Sequence, residues 1–208
     1  MAWAKRSYQV SREAAIFGDA DIRSALRKRL LADHRADPTT VIIEELGFCR
    51  GQVRIDLAVV NGLLHGYEIK SDRDSLRRLA IQVDYYSRVL DQATLVVGQR
   101  HIEKTLSMVP LWWEIMLVDT GPAGIHFRTI RQGQTNPTRD PRSLVELIWL
   151  ENAVALLEQR GVARGMRGKP RSMVWDRVCE YFGLEEIAES VRYQLKAKAV
   201  LRDPVPQS

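Results

Sequence analysis

Asp56-Leu57-Ala58-Val59-Val60-Asn61-Gly62-Leu63-Leu64-His65-Gly66-Tyr67-Glu68-Ile69-Lys70 is the stretch on which the fold turns. Two β-rich runs meet at an Asn-Gly pair, whose tolerance of positive φ marks a hairpin. Three charged groups lie in strands that otherwise suit a core. A buried charge is costly unless it is paired or bound to a metal. Glu68 and Lys70 are two apart, so they share one face of a strand while Ile69 points the other way. The loop length then decides whether Asp56 joins them. A two-residue Asn61-Gly62 turn would pair Asp56 with Tyr67 and put Glu68 on the opposite face. For Asp56 and Glu68 to converge, the loop needs an odd count or a strand needs a bulge. A three-residue loop with Gly62 in the left-handed region meets that need.

Toward the N-terminus, residues 53–60 follow a turn at Cys49-Arg50-Gly51-Gln52, and residues 41–48 read as another strand. A symmetric turn pairs Phe48 with Val53 and sets Glu45 opposite Asp56, so Glu45 is the better third acid than Glu44, a choice that a bulge would reverse. Earlier still, Ile22, Ala25, Leu26 and Leu30 recur at helical spacing behind Gly18-Asp19-Ala20-Asp21. Arg23, Arg27 and Lys28 fall to the outer, basic side of that helix.

Toward the C-terminus, Ser71-Asp72-Arg73-Asp74-Ser75 is rich in capping residues and opens a helix striped by Leu76, Leu79, Val83, Tyr86 and Leu90. Gln82 and Tyr86 are four apart and share a face. A strand at 93–97, a short helix at 101–108 and strands at 112–118 and 124–130 complete an α-β-β-β-α-β order with further β. This is an α/β (α+β) fold with a mixed sheet flanked by helices. The polar stretch 131–142 reads as a linker between a core domain, residues 1–135, and a helical C-terminal extension, residues 143–203. Helices are expected at 144–159, 174–182 and 184–201.

The chain has 208 residues, 45% of them hydrophobic, enough for one full core with at most a small appendage. A net charge of +5 and a pI of about 9.4 lean toward an anionic partner. Cys49 and Cys179 lie far apart, which excludes a four-cysteine zinc or iron–sulfur site and points to reduced, cytosolic thiols. No apolar run is long enough to span a membrane and no secretory h-region is visible, so the expectation is a soluble cytoplasmic protein. The first dozen residues read as polar and loosely held. Between Arg160 and Met173, Arg160, Arg164, Arg167, Lys169 and Arg171 occur with three glycines and no acid. Such a segment suits phosphate contact without sequence readout, with a solvated linker as the ordinary alternative. The helices behind it have helix–turn–helix length and could form a DNA-reading unit, though an ordinary helical hairpin packed on the core is the better reading; they could also serve a homodimer or a protein partner.

An acid on one strand, Glu68-Ile69-Lys70 on the next, and Gln82-Val83-Asp84-Tyr85-Tyr86 on the following helix resemble the PD-(D/E)xK nuclease superfamily. The Gln-x-x-x-Tyr spacing is similar to its RecB-like, Holliday-junction-resolvase-like branch. The run from Arg54 through Asp72 also looks like a little-characterised bacterial family within it. The resemblance spans roughly residues 20 to 130 and implies a restriction-endonuclease-like core. It also implies a metal-dependent nuclease acting on DNA, with Mg²⁺ or Mn²⁺ held by Asp56, Glu68, Glu45 and the carbonyl of Ile69. Lys70 would meet the phosphate and the attacking water, and Gln82 would orient the metal shell or Lys70. Tyr86 would pack beside or contact the nucleic acid, and Arg164, Arg167, Lys169 and Arg171 would hold its backbone. The rival reading is a catalytically silent nucleic-acid-binding or assembly module on the same fold. Read singly, Glu-x-Lys is an edge-strand ion pair, Tyr86 is core, His65 is structural, and one of Trp112 and Trp113 faces the core.

Overall fold

The computed structural model describes residues 17–121 and 124–202. The opening dozen residues lie outside them. Helix α1 (Asp19–Asp33) precedes strands β1 (Val41–Phe48), β2 (Val53–Val60) and β3 (Leu64–Lys70). Helix α2 (Leu79–Ser87), strand β4 (Gln92–Val97), helix α3 (Ile102–Met108), and strands β5 (Glu114–Gly121) and β6 (Gly124–Arg131) follow. Helices α4 (Pro141–Val145), α5 (Leu150–Gln159), α6 (Arg171–Tyr181) and α7 (Leu184–Arg202) close the chain. The strands form one mixed sheet in chain order, parallel at β3–β4 and β4–β5 and antiparallel elsewhere. The two parallel joins are the two places where a helix intervenes, as a crossover requires.

Two apolar clusters lie on the two faces of this sheet. Ile22, Leu26 and Leu30 of α1 pack on Leu57, Val59, Tyr67 and Ile69. On the other face, Ile55, Ala58, Val60 and Leu64 share one cluster with Leu79 and Tyr86 of α2 and with Val145, Leu157, Trp175, Val178 and Val191 of the C-terminal helices. Those helices therefore belong to the core of the sheet domain. Packing of this kind, more than local propensity, keeps short helices such as α4 folded. The stretch expected to be a linker is a fixed strap. The buried Asn136 side chain donates to the carbonyls of Ser87 and Leu90, both at 2.7 Å, and Gln134 and Asp140 donate to Trp112 and Arg88. Helix 144–159 is broken in two. Asp140 caps α4 ahead of Pro141, and the chain resumes as α5 after Trp149, whose backbone is extended.

The hairpin arithmetic is met. Val60 pairs with Leu64, leaving a three-residue loop, and Leu57 pairs with Tyr67, so Asp56 and Glu68 are the next facing positions. Gly62 does not take the left-handed backbone expected of it. The Asn61 carboxamide oxygen accepts the Leu63 amide at 2.9 Å instead, closing an Asx-type turn that needs no positive φ. Phe48 pairs with Val53, and the pairs Leu46–Ile55 and Glu44–Leu57 bracket Glu45 and Asp56. Glu45 itself has φ +53. There the alternation slips: Ile55 and Ala58 face one core while Leu57 faces the other. A non-glycine residue in this region costs on the order of 1 kcal/mol, and such strain collects where a side chain must be re-aimed.

Candidate active site

Where β2 and β3 part beyond Leu57–Tyr67, the acids of both strands gather. The Asp56 carboxylate accepts the Ile69 amide at 2.7 Å, taking over from the strand ladder. Glu68, only 2% exposed, is enclosed on all sides. Lys70 Nζ and Gln82 Nε2 (2.5 Å) reach its Oε1, and the Tyr86 hydroxyl bonds Oε2 at 2.8 Å. That hydroxyl also meets the Arg54 carbonyl at 2.7 Å, pinning β3 to β2 through α2. Lys70 and Gln82 are themselves 7% and 8% exposed. The four-residue spacing of Gln82 and Tyr86 thus aims both at one carboxylate.

Tyr86 is fully buried, stacked on Trp113 and edge-on to Phe48, so it is a support for Glu68 and offers nucleic acid no surface. Trp112 and Trp113 are both buried, where one was expected to be. His65 is structural: it bonds Thr94, stacks on Tyr67, and burial lowers its pKa to about 4. Arg164, Arg167 and Lys169 are exposed between α5 and α6, in a run of turns with Gly161, Gly165 and Gly168 at positive φ, and Arg171 is exposed at the first position of α6. Arg167 is tied to Glu158 at 2.7 Å.

The electrostatics single out the facing acids. Burial, then the neighbouring Glu68, push the Asp56 pKa up to about 7 against the pull of the Ile69 amide and Arg23. Burial also raises Glu68, with Lys70, Tyr86 and Gln82 opposing. Burial and Glu68 raise Tyr86 as well, which keeps its hydroxyl a donor.

Sequence reasoning missed Arg23. It was expected on the outer face of α1, yet it lies one step round from the buried Ile22, at the rim of the packed face, only 22% exposed. Its Nη1 bonds Glu45 at 2.5 Å, and its Nη2 bonds Asp19 at 2.8 Å and Asp56 at 3.0 Å. One turn on, Arg27 pairs with Glu44 at 2.9 Å. Arg54 takes the other Glu45 oxygen at 2.8 Å. The only trace in the sequence was the Asp19/Arg23 spacing of four, and that fits any surface pair.

These contacts correct the expected three-acid cage. Among the described residues no three His, Cys, Asp or Glu side chains stand grouped to hold a metal. Glu45 is drawn off by two arginines. A two-carboxylate set does fit a hard cation that keeps several waters. Asp56 and Glu68 are the pair whose like charges oppose each other, and Gln82 Oε1 is buried beside them with no partner among the described residues.

Comparison with known proteins adds a lineage. The family model described as bacteriophage P4 protein cII matches residues 14–202. The chain belongs to that family. Within it, protein cII of Enterobacteria phage P4 is 26% identical over 126 residues, 58% of this chain and 46% of that protein. The cII-family chain thus spans about half the length of the curated relative it matches. Among solved structures, a protein of unknown function from Silicibacter pomeroyi overlays at a TM-score of 0.40 and 16% identity, covering 90% of this chain and 92% of that one. SfsA of Pyrococcus furiosus, solved in complex with Ca²⁺, does so at 0.37 and 14%, covering 59% and 68%. Overlays this loose carry no functional inference for the cII-family chain. Among its described residues no helix is long and apolar enough to cross a membrane.

Proposed function

We propose that this chain is a metal-dependent nuclease that hydrolyses DNA phosphodiester bonds through a PD-(D/E)xK-type site. The observation that carries the reading is a buried Glu68–Lys70 pair facing Asp56 across a parted hairpin, braced by Gln82 and Tyr86 from one helix. A purely structural pair needs neither the opposed carboxylate nor the orphaned Gln82 oxygen. A divalent cation such as Mg²⁺ or Mn²⁺, bound at Asp56 and Glu68, would supply charge neutralisation at the scissile phosphate and an activated water.

The protein groups then have distinct tasks. The Ile69 amide orients Asp56, and Gln82 and Tyr86 orient Glu68. Lys70 presents a fixed ammonium to charge developing on the phosphoryl oxygens, in surroundings where such an interaction counts for more than in water. The basic α5–α6 turns guide the DNA backbone. The rival, a silent nucleic-acid-binding module, draws on one feature: every oxygen of Glu45, Asp56 and Glu68 is already bonded within the protein.

Cleavage of linear, circular, single-stranded and branched DNA with Mg²⁺ or Mn²⁺ tests the reading. Asp56→Ala is expected to cut activity by about a hundred- to a thousandfold, the scale of losing a transition-state stabiliser, with DNA affinity kept or raised. Lys70→Ala is expected to stop turnover with metal binding retained by calorimetry. Wild-type cleavage by Asp56→Ala would leave the silent module as the better account.

A further inference from the structure

Arg23 reaches three carboxylates from three elements: Asp19 on α1, Glu45 on β1 and Asp56 on β2. All three bonds come from its two terminal nitrogens, and its Nε is buried with no partner among the described residues. The Glu45 backbone holds φ +53 at the position from which its side chain meets this guanidinium. The arginine thus stands beside Asp56 Oδ1, on the carboxylate that faces Glu68, as a singly charged substitute for a harder cation. On the Glu68 side, Gln82 Oε1 is likewise buried with no partner among the described residues.

We infer that Arg23 is a resident counter-cation that competes with the divalent metal for Asp56, so that metal loads only as the guanidinium withdraws. The inference rests on the metal reading above and adds a gate to it. The energetic logic is that of a partly populated competent state. Metal affinity falls by the fraction of molecules in which Arg23 has let go, so a state open one time in ten to one in a hundred weakens binding about 10- to 100-fold. Withdrawal leaves Glu45 to Arg54 alone, which limits how readily it occurs. Arg23 touches no substrate in this account; it is a positioning residue.

Titration of Mn²⁺ by electron paramagnetic resonance, which reads the free ion and needs no turnover, tests the gate on the full chain. Arg23→Gln is expected to bind Mn²⁺ at least about tenfold more tightly than the wild type. It should also gain more melting temperature from millimolar Mn²⁺ than the wild type does. Asp19→Asn is the variant that keeps the fold if Arg23→Gln does not. It removes one tether from a partly exposed first-turn acid and is expected to tighten Mn²⁺ binding by a smaller factor. Equal or weaker Mn²⁺ binding by a folded variant overturns the gate and leaves the metal site standing. No Mn²⁺ bound by any of the three proteins overturns the gate and the metal reading together.

Discussion

The molecule buries acid–base clusters at two places, and they are built differently. At the start of β4, Asp91 receives Arg139 on one oxygen, and Arg192 at 3.2 Å and the Leu64 amide at 2.7 Å on the other. Arg139 also binds Glu185, so two acids meet two cations drawn from the strap and α7. At the parted hairpin, four acids (Asp19, Glu45, Asp56, Glu68) face only three cations (Arg23, Arg54, Lys70). That cluster also carries a strained backbone at Glu45, an orphaned amide oxygen and a carboxyl pushed up to about 7. Burial of charge is common to both. What separates them is balance: the Asp91 network matches two acids with two cations and fastens α7 to the sheet, though Arg139 Nε stays buried without a partner among the described residues, while the hairpin cluster holds a surplus of acid that a cation would relieve.

Paired substitutions would break that contrast most sharply. Asp91→Asn leaves two guanidinium groups that cannot shed their charge, at a cost of about 3–5 kcal/mol. Asp56→Asn at pH 8 removes a carboxylate that the fold keeps ionised reluctantly, and is expected to cost less than about 1 kcal/mol or to stabilise. Urea denaturation of both variants decides it, and similar losses would erase the distinction.

The next effect follows from the raised Asp56 pKa. Between its ordinary value of 3.8 and about 7 the native state keeps a proton that the unfolded chain has lost. Its contribution to stability therefore declines as pH rises through that window and levels off above it. Metal must displace the same proton, so Mn²⁺ binding is expected to tighten by up to about tenfold per pH unit below 7 and to plateau above. Asp56→Asn removes the stability slope. A flat Mn²⁺ affinity from pH 5.5 to 8 would show that Asp56 is not the proton-linked ligand.

The smallest effect lies in the basic turns that follow α5. Neutralising Arg164, Lys169 and Arg171 together is expected to lower the slope of log affinity for DNA against log salt by about 2–3, leaving turnover at saturating DNA unchanged. Arg167 alone should contribute less, because Glu158 already occupies it. An unaltered slope would make these turns a solvated surface.

Much of the hairpin cluster was legible residue by residue. Side-chain alternation put Glu68 and Lys70 on one face, parity called for an odd loop between β2 and β3 or a bulge, a need that the three-residue loop meets, and helical spacing joined Gln82 to Tyr86. These are local rules with a period of two or four, and they survive folding because strand and helix geometry enforce them wherever the element packs. Membership of the cII family, too, resides in the chain as written.

What local periodicity does not carry was decided by the tertiary structure. Arg23 turned from an outer basic face to the acids because α1 is laid across β1, β2 and β3, a placement set by Ile22, Leu26 and Leu30 against Leu57 and Ile69. Tyr86, already on the apolar stripe of α2, lost any face toward nucleic acid because Phe48 and Trp113, far from it in the chain, close over its ring. The polar strap became fixed because Asn136 found the carbonyls left over at the end of α2. In each case the partner lies tens of residues away, so only the packed chain brings the charges and hydrogen bonds together.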